Sequence, residues 1–110
     1  MAAIATQRVT VTGIANVTFT AAAGGGDTFT GGARGIFHIR NASGSAITAT
    51  IVVPGNTAYG QAQPDIAIIV PATTGHAMVG PFDSGMLDGN GNVNVTYSGV
   101  TSLTVAYTEV

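Results

Sequence analysis

Apolar and polar residues alternate with a period of two through most of this chain. Val9 and Val11 alternate with Thr10 and Thr12, and Ile47, Ala49, Ile51 and Val53 with Thr48 and Thr50. Val93, Val95 and Tyr97 alternate with Asn94 and Thr96, and Leu103, Val105 and Tyr107 with Thr104 and Ala106. This pattern puts every apolar group of a segment on one side of a pleated strand. The residues are also mostly β-branched, which suits a half-buried sheet. No window carries a helical stripe.

Turn-formers separate the runs: Gly24-Gly25-Gly26-Asp27, Gly31-Gly32, Ser43-Gly44-Ser45, Pro54-Gly55-Asn56, Asp88-Gly89-Asn90-Gly91-Asn92 and Ser98-Gly99. Strands are expected near 7–12, 15–21, 27–30, 35–41, 46–53, 65–70, 75–82, 92–97 and 101–108. A spacing of roughly 8–12 residues between turn signals belongs to a sandwich or small barrel. The expected fold is all-β: a single antiparallel β-sandwich, jelly-roll-like or Ig-like, spanning 1–110 as one domain. Residues 1–7 form a candidate N-terminal arm. The segment Ile51 to Pro71 breaks the rhythm, with Tyr59, Gln61, Gln63 and Pro64 in a long connection of the kind that carries interaction surfaces.

Charge narrows the function. Only Arg8, Arg34, Arg40, Asp27, Asp65, Asp83, Asp88 and Glu109 are charged, 7% of the chain against about 25% in ordinary domains. A surface of Thr, Ser, Asn, Gly and Ala suits a protein packed against other protein, because free monomers use mixed charge to avoid self-association. A net charge of −2 with three scattered arginines gives no footprint for nucleic acid or anionic lipid. There is no cysteine, so neither a disulfide framework nor a thiolate metal site is expected. The N-terminus does not read as a signal peptide, no segment approaches the ~20 apolar residues of a membrane span, and a soluble protein is expected.

Motifs that could carry chemistry fall short. Phe82-Asp83-Ser84-Gly85 resembles the Asp-Ser-Gly turn of retroviral-type aspartic proteases, whose two subunits each give one Asp. Those enzymes place an apolar strand before the Asp and Ala after the Gly; here Gly80-Pro81-Phe82 precedes and Met86 follows. Asp88, Asn90 and Asn92 have the one-three-five spacing of a calcium loop, yet Val93 and Gly99 fill the sixth and twelfth positions, so a hairpin is expected. His38, between Phe37 and Ile39, is expected to point away from the core, with no second ligand for zinc. No serine sits in a nucleophile-elbow context. Gly24-Gly25-Gly26 lacks the lysine and helix of a phosphate loop. Asn16, Asn41 and Asn94 head glycosylation-type triplets that chance explains in so Thr- and Asn-rich a chain. Tyr59, Tyr97 and Tyr107 are either core-edge residues or a sugar-stacking platform. No enzyme and no cofactor are expected.

Taken along its length, the chain resembles the small β-sandwich decoration, or head-stabilising, proteins of tailed bacteriophages. The likeness rests on Val9-Thr-Val-Thr, Gly25-Gly-Asp-Thr-Phe29, Phe37-His-Ile-Arg-Asn-Ala-Ser43 and Val70-Pro-Ala-Thr-Thr-Gly. It continues through Val79-Gly-Pro-Phe82, Asp88-Gly-Asn-Gly-Asn-Val and the closing strands from Val95. These are strand-and-turn patterns rather than catalytic signatures. The resemblance implies a virion protein that binds the major capsid protein on the outer shell as a homo-oligomer, a trimer or dimer, without nucleic acid or membrane. Its assembly would take place in the host cytoplasm. Candidate contacts with the capsid or a neighbour are Met1, Ala2, Ala3, Ile4, Arg8, Arg34, Arg40 and Tyr59. The alternatives are a carbohydrate-binding, lectin-like adhesion module using Tyr59 or Tyr107, and a small virion protein of the neck or tail.

Overall fold

A computed structural model of the chain describes residues 2–14, 16–56, 58–82 and 84–110, the side chain of Ser84 excepted. The strands are β1 (Ala2–Ala3), β2 (Thr6–Arg8), β3 (Thr20–Ala21), β4 (Asp27–Thr30) and β5 (Gly35–Asn41). They continue with β6 (Ile47–Val52), β7 (Ile66–Val70), β8 (Gly75–Val79), β9 (Asn92–Tyr97) and β10 (Leu103–Glu109). A single 3-10 turn, Ser84–Met86, is the only helical element among the described residues.

Two sheets pack face to face. One runs β1-β4-β9-β6-β7 and the other β2-β10-β5-β8, with β3 also paired to β10. Strands β3 to β10 pair first with last: β3 with β10, β4 with β9, β5 with β8 and β6 with β7, all antiparallel. Antiparallel pairs β5–β10 and β6–β9 then complete each sheet. This is one long antiparallel hairpin rolled into two sheets, a β-sandwich with jelly-roll strand order rather than the immunoglobulin order.

The inward sets follow the period-two reading. Phe37 and Ile39 from β5, Ile47, Ala49 and Ile51 from β6, Val93 and Val95 from β9, and Leu103, Val105 and Tyr107 from β10 are buried. At one end of the core Phe29 stacks on Phe37 with centroids 4.6 Å apart and lies 4.5 Å from Tyr107, while Phe82 meets it edge-on at 5.3 Å. Each such side chain taken from water contributes about 1.5–3 kcal/mol. Three polar residues, Asp27, Asn41 and Thr108, are buried with the apolar set; the Asp27 carboxylate accepts the Tyr97 hydroxyl at 2.7 Å and the Ala23 amide at 3.3 Å.

The N-terminal segment is woven into both sheets. Ala2–Ala3 run parallel to β4, and Thr6–Arg8 run parallel to β10. Between them Ile4 turns into the core, 8% exposed, with its amide bonded to Thr28 O at 2.8 Å. The stretch read as a candidate arm therefore lies along the domain, at least over residues 2–7.

Several strands are shorter than the alternation implies. The Val9–Thr12 run is not strand beyond Arg8, because β10 ends at Glu109 and leaves nothing to pair with. Val9 makes one last bond to Glu109 O, and the chain then turns through Thr10–Gly13, where Gly13 has φ 83°. Val11 is fully exposed. The expected strand 15–21 contracts to Thr20–Ala21, its first residue, Ala15, lying outside the described residues. The expected strand 75–82 stops at Val79, where Gly80 takes φ 153° before a cis peptide to Pro81.

Candidate functional site

The fold sorts the few charges unequally between the two outer faces. On the β1-β4-β9-β6-β7 sheet the outward positions are Thr28, Thr30, Asn92, Asn94, Thr96, Thr48, Thr50, Val52, Ala67 and Ile69. None is charged. The sheet's one charged strand residue, Asp27, is turned inward and buried. Asp65 and Asp88 sit in connections at its margins, each occupied locally: Asp65 accepts the Val53 amide, and Asp88 accepts the Asn90 and Asn92 amides and the Asn94 side chain. The longer of this sheet's two edge strands is β7, Ile66-Ala-Ile-Ile-Val70, with Ile69 70% exposed; the other is the two-residue β1. Uncharged edges of this kind are ready templates for pairing with another chain.

The opposite sheet holds the arginines. Arg8 ends β2, Arg34 precedes β5 and Arg40 lies on β5. Arg8 stands 4.0 Å from Glu109 at the surface, a contact of small energetic weight. Arg34 is exposed and holds the C-terminus through its backbone carbonyl, which accepts the Val110 amide.

Arg40 belongs to a cluster. Across the outer face of this sheet, His76 of β8, Arg40 of β5 and Thr104 of β10 stand in one cross-strand row. The next row holds Met78, His38 and Ala106. Phe19, arriving from the segment before β3, lies over them, its ring edge-on to His38 at 6.1 Å and to His76 at 6.0 Å. The Arg40 guanidinium carbon sits 5.2 Å from the Phe19 centroid, within cation–π range. This cover is in keeping with the complete burial of Ala106, which points away from the main core. His38 Nε2 meets Thr108 Oγ1 at 3.1 Å, and its Nδ1 is buried without a partner. Burial, and then the charge of nearby His76, hold the His38 pKa below its ordinary 6.5.

Beside this cluster opens a cleft of about 560 Å³ lined by Arg40, His76, Thr73, Thr74, Ser102 and Thr104. Its floor is fixed by buried Asn41, whose amide donates to Ser45 O and Val70 O while its oxygen accepts from the Ser43 amide and hydroxyl. Thr73 and Ser102, both lining the cleft, are the non-glycine residues with positive φ among the described residues, 71° and 52°. For a β-branched residue such as Thr73 that conformation is strained, and such strain gathers at functional sites.

The remaining expected site residues lie apart. Ala2 and Ala3 are exposed on β1, Ile4 is core, and Met1 lies outside the described residues. Tyr59 is 92% exposed in the long 53–65 connection. Tyr107 is wholly buried, which removes it as a sugar-stacking surface. Tyr97 is committed to Asp27. Asp83, the residue of the protease-like turn, lies outside the described residues. The Asp88 loop is a tight turn and not the expected β-hairpin, because the 3-10 turn Ser84–Met86, not a strand, precedes it; its carboxylate accepts from Asn94, Asn92 and Asn90, which lower its pKa. No cluster of three or more metal-ligating side chains exists among the described residues. Alternation alone placed His38 and Arg40 on one face. Phe19, His76, Thr73 and Ser102 join them from other strands and loops, and no linear spacing marks them.

Comparison with protein-family models, with curated proteins and with solved structures returns no match.

Proposed function

We propose that this chain is a non-enzymatic structural protein of a virion that binds the major capsid protein on the outside of a phage shell and stabilises it. The observation that carries the reading is the uncharged outer face of the β1-β4-β9-β6-β7 sheet, continuous with the uncharged edge β7. Covering threonine and isoleucine with protein costs little desolvation, whereas covering a charged face demands matched partners. Jelly-roll sandwiches recur in viral capsid and lectin domains, and by fold-level analogy alone both suit this chain. A protein that binds only the assembled shell stabilises it by mass action, and many copies multiply small contacts. The same edge suits a dimer or trimer. The arginine-bearing sheet then faces solvent or a neighbouring copy.

The test mixes purified protein with undecorated tailed-phage capsids and measures bound copies per particle and shell melting temperature. Saturation at tens to hundreds of copies with a raised melting point is expected. A handful of copies assigns the protein to the neck or tail, and no binding refutes the reading.

A further inference from the structure

We propose that the cleft beside Arg40 binds the carboxylate of a small polyhydroxylated ligand, a sugar acid. This site lies on the opposite sheet from the proposed shell contact and does not depend on that reading. Of the five basic side chains in the protein, Arg40 and His76 line the cleft, and His38 stands in the adjoining row under Phe19. No acidic residue lines the cleft. Among the described residues Arg40 has no carboxylate partner, and its guanidinium is held against the Phe19 ring. A guanidinium fixed in this way offers its planar fork to a carboxylate with little further loss of side-chain freedom.

The groups facing the cluster from the neighbouring strands are neutral: Thr104, Ala106 and Thr108 on β10, and Met78 on β8. Glu109 belongs to the alternate set of β10 positions and does not share this face.

The rest of the lining decides between carboxylate sources. Thr73, Thr74, Ser102 and Thr104 place four hydroxyls around the cleft, each able to donate and accept. That inventory matches the alcohols of a sugar ring. No large apolar side chain lines the cleft to anchor a peptide. A volume of about 560 Å³ falls in the range of small-ligand sites. The Asn41 network beneath and the two left-handed residues in the lining hold this geometry before any ligand arrives.

The test titrates D-glucuronate, D-glucose, inorganic phosphate and N-acetylglutamate amide into the isotopically labelled protein, following backbone amides by NMR. Saturable shifts with glucuronate, confined to residues 40–43, 73–76 and 102–104, are expected, and they should weaken as salt rises. Arg40→Gln should lower affinity ~10- to 100-fold while the remaining spectrum stays folded, since a charge-assisted hydrogen bond is lost. Thr104→Val keeps the charge and should lower affinity ~2- to 10-fold. Equal binding of glucose would overturn the role of Arg40. Equal binding of phosphate or N-acetylglutamate amide would overturn the sugar-acid assignment, and absence of shifts at the cleft would overturn the site.

Discussion

Replacing Gly35 by alanine tests whether the aromatic end of the core is packed as described. A Cβ on residue 35 would fall within the phenol of Tyr107, overlapping Oη and Cζ and reaching Cε1 at 2.6 Å. The ring cannot retreat easily: it is wholly buried, with Phe29 at 4.5 Å and Phe82 at 6.3 Å between centroids. Overpacking a dense core costs about 1–3 kcal/mol, and the aromatic wall behind the ring puts this site near the upper end. At about 4 °C per kcal/mol for a domain of this size, the melting temperature should drop by about 12 °C. Tyr107→Leu alone should cost about 2–4 kcal/mol through lost burial and a cavity. In the double variant the overlap disappears, so the combined cost should fall short of the sum by about 1–3 kcal/mol. Urea denaturation with linear extrapolation gives all four stabilities. Costs that add to within about 0.5 kcal/mol would show that residues 35 and 107 do not share this space.

Asn41→Ala removes donors to Ser45 O and Val70 O and the acceptor of Ser43, and should cost about 3 kcal/mol in denaturation, with amide exchange accelerated over residues 43–45. Tyr97→Phe leaves the buried Asp27 carboxylate without its 2.7 Å donor and should cost about 1.5–3 kcal/mol by the same assay. Stability should fall on both sides of neutrality. His38 has a folded pKa below 6.5, set by burial and then His76, so its contribution is full above about pH 6.5 and is lost as pH falls through the folded value. Burial, then Asp27, raises the Tyr97 pKa, and burial, then Glu109, pushes Tyr107 up to about 12. Both contributions are full below about pH 10 and are lost as pH rises through the folded values. Urea midpoints measured from pH 4 to 12 should trace this plateau, and His38→Gln should flatten its acid shoulder.

The alternation made the sandwich legible because side-chain period and burial are one physical fact in a strand: β5, β6, β9 and β10 bury the residues their spacing selects. What alternation cannot carry is pairing. Nothing local to Val9–Thr12 says that β10 ends at Glu109, so a sequence with strand character is left as a turn. The N-terminal residues 2–7 read as a plain uncharged stretch, and only the positions of β4 and β10 recruit them, with Ile4 as the apolar anchor. Tyr107 and Tyr59 look alike in composition, yet strand register buries one and loop position exposes the other. The two-faced charge distribution was hidden for the same reason. Arg8, Arg34 and Arg40 are scattered along the chain, and strand order alone brings them onto one sheet. The Arg40 cleft depends on four separate segments meeting, with Phe19 supplied by a loop whose own sequence shows no chemistry.

In the proposed function the uncharged sheet meets the capsid. The most direct measurement compares copies bound per undecorated tailed-phage capsid for the native chain and for Thr50→Arg, at the middle of that sheet beside Thr96 and Ala67. As a partly exposed surface substitution, Thr50→Arg should change folding stability by only about 0.5 kcal/mol. Saturable decoration by the native chain and its loss in the Thr50→Arg variant are expected. Undiminished decoration by the variant, or none by either protein, would contradict the account.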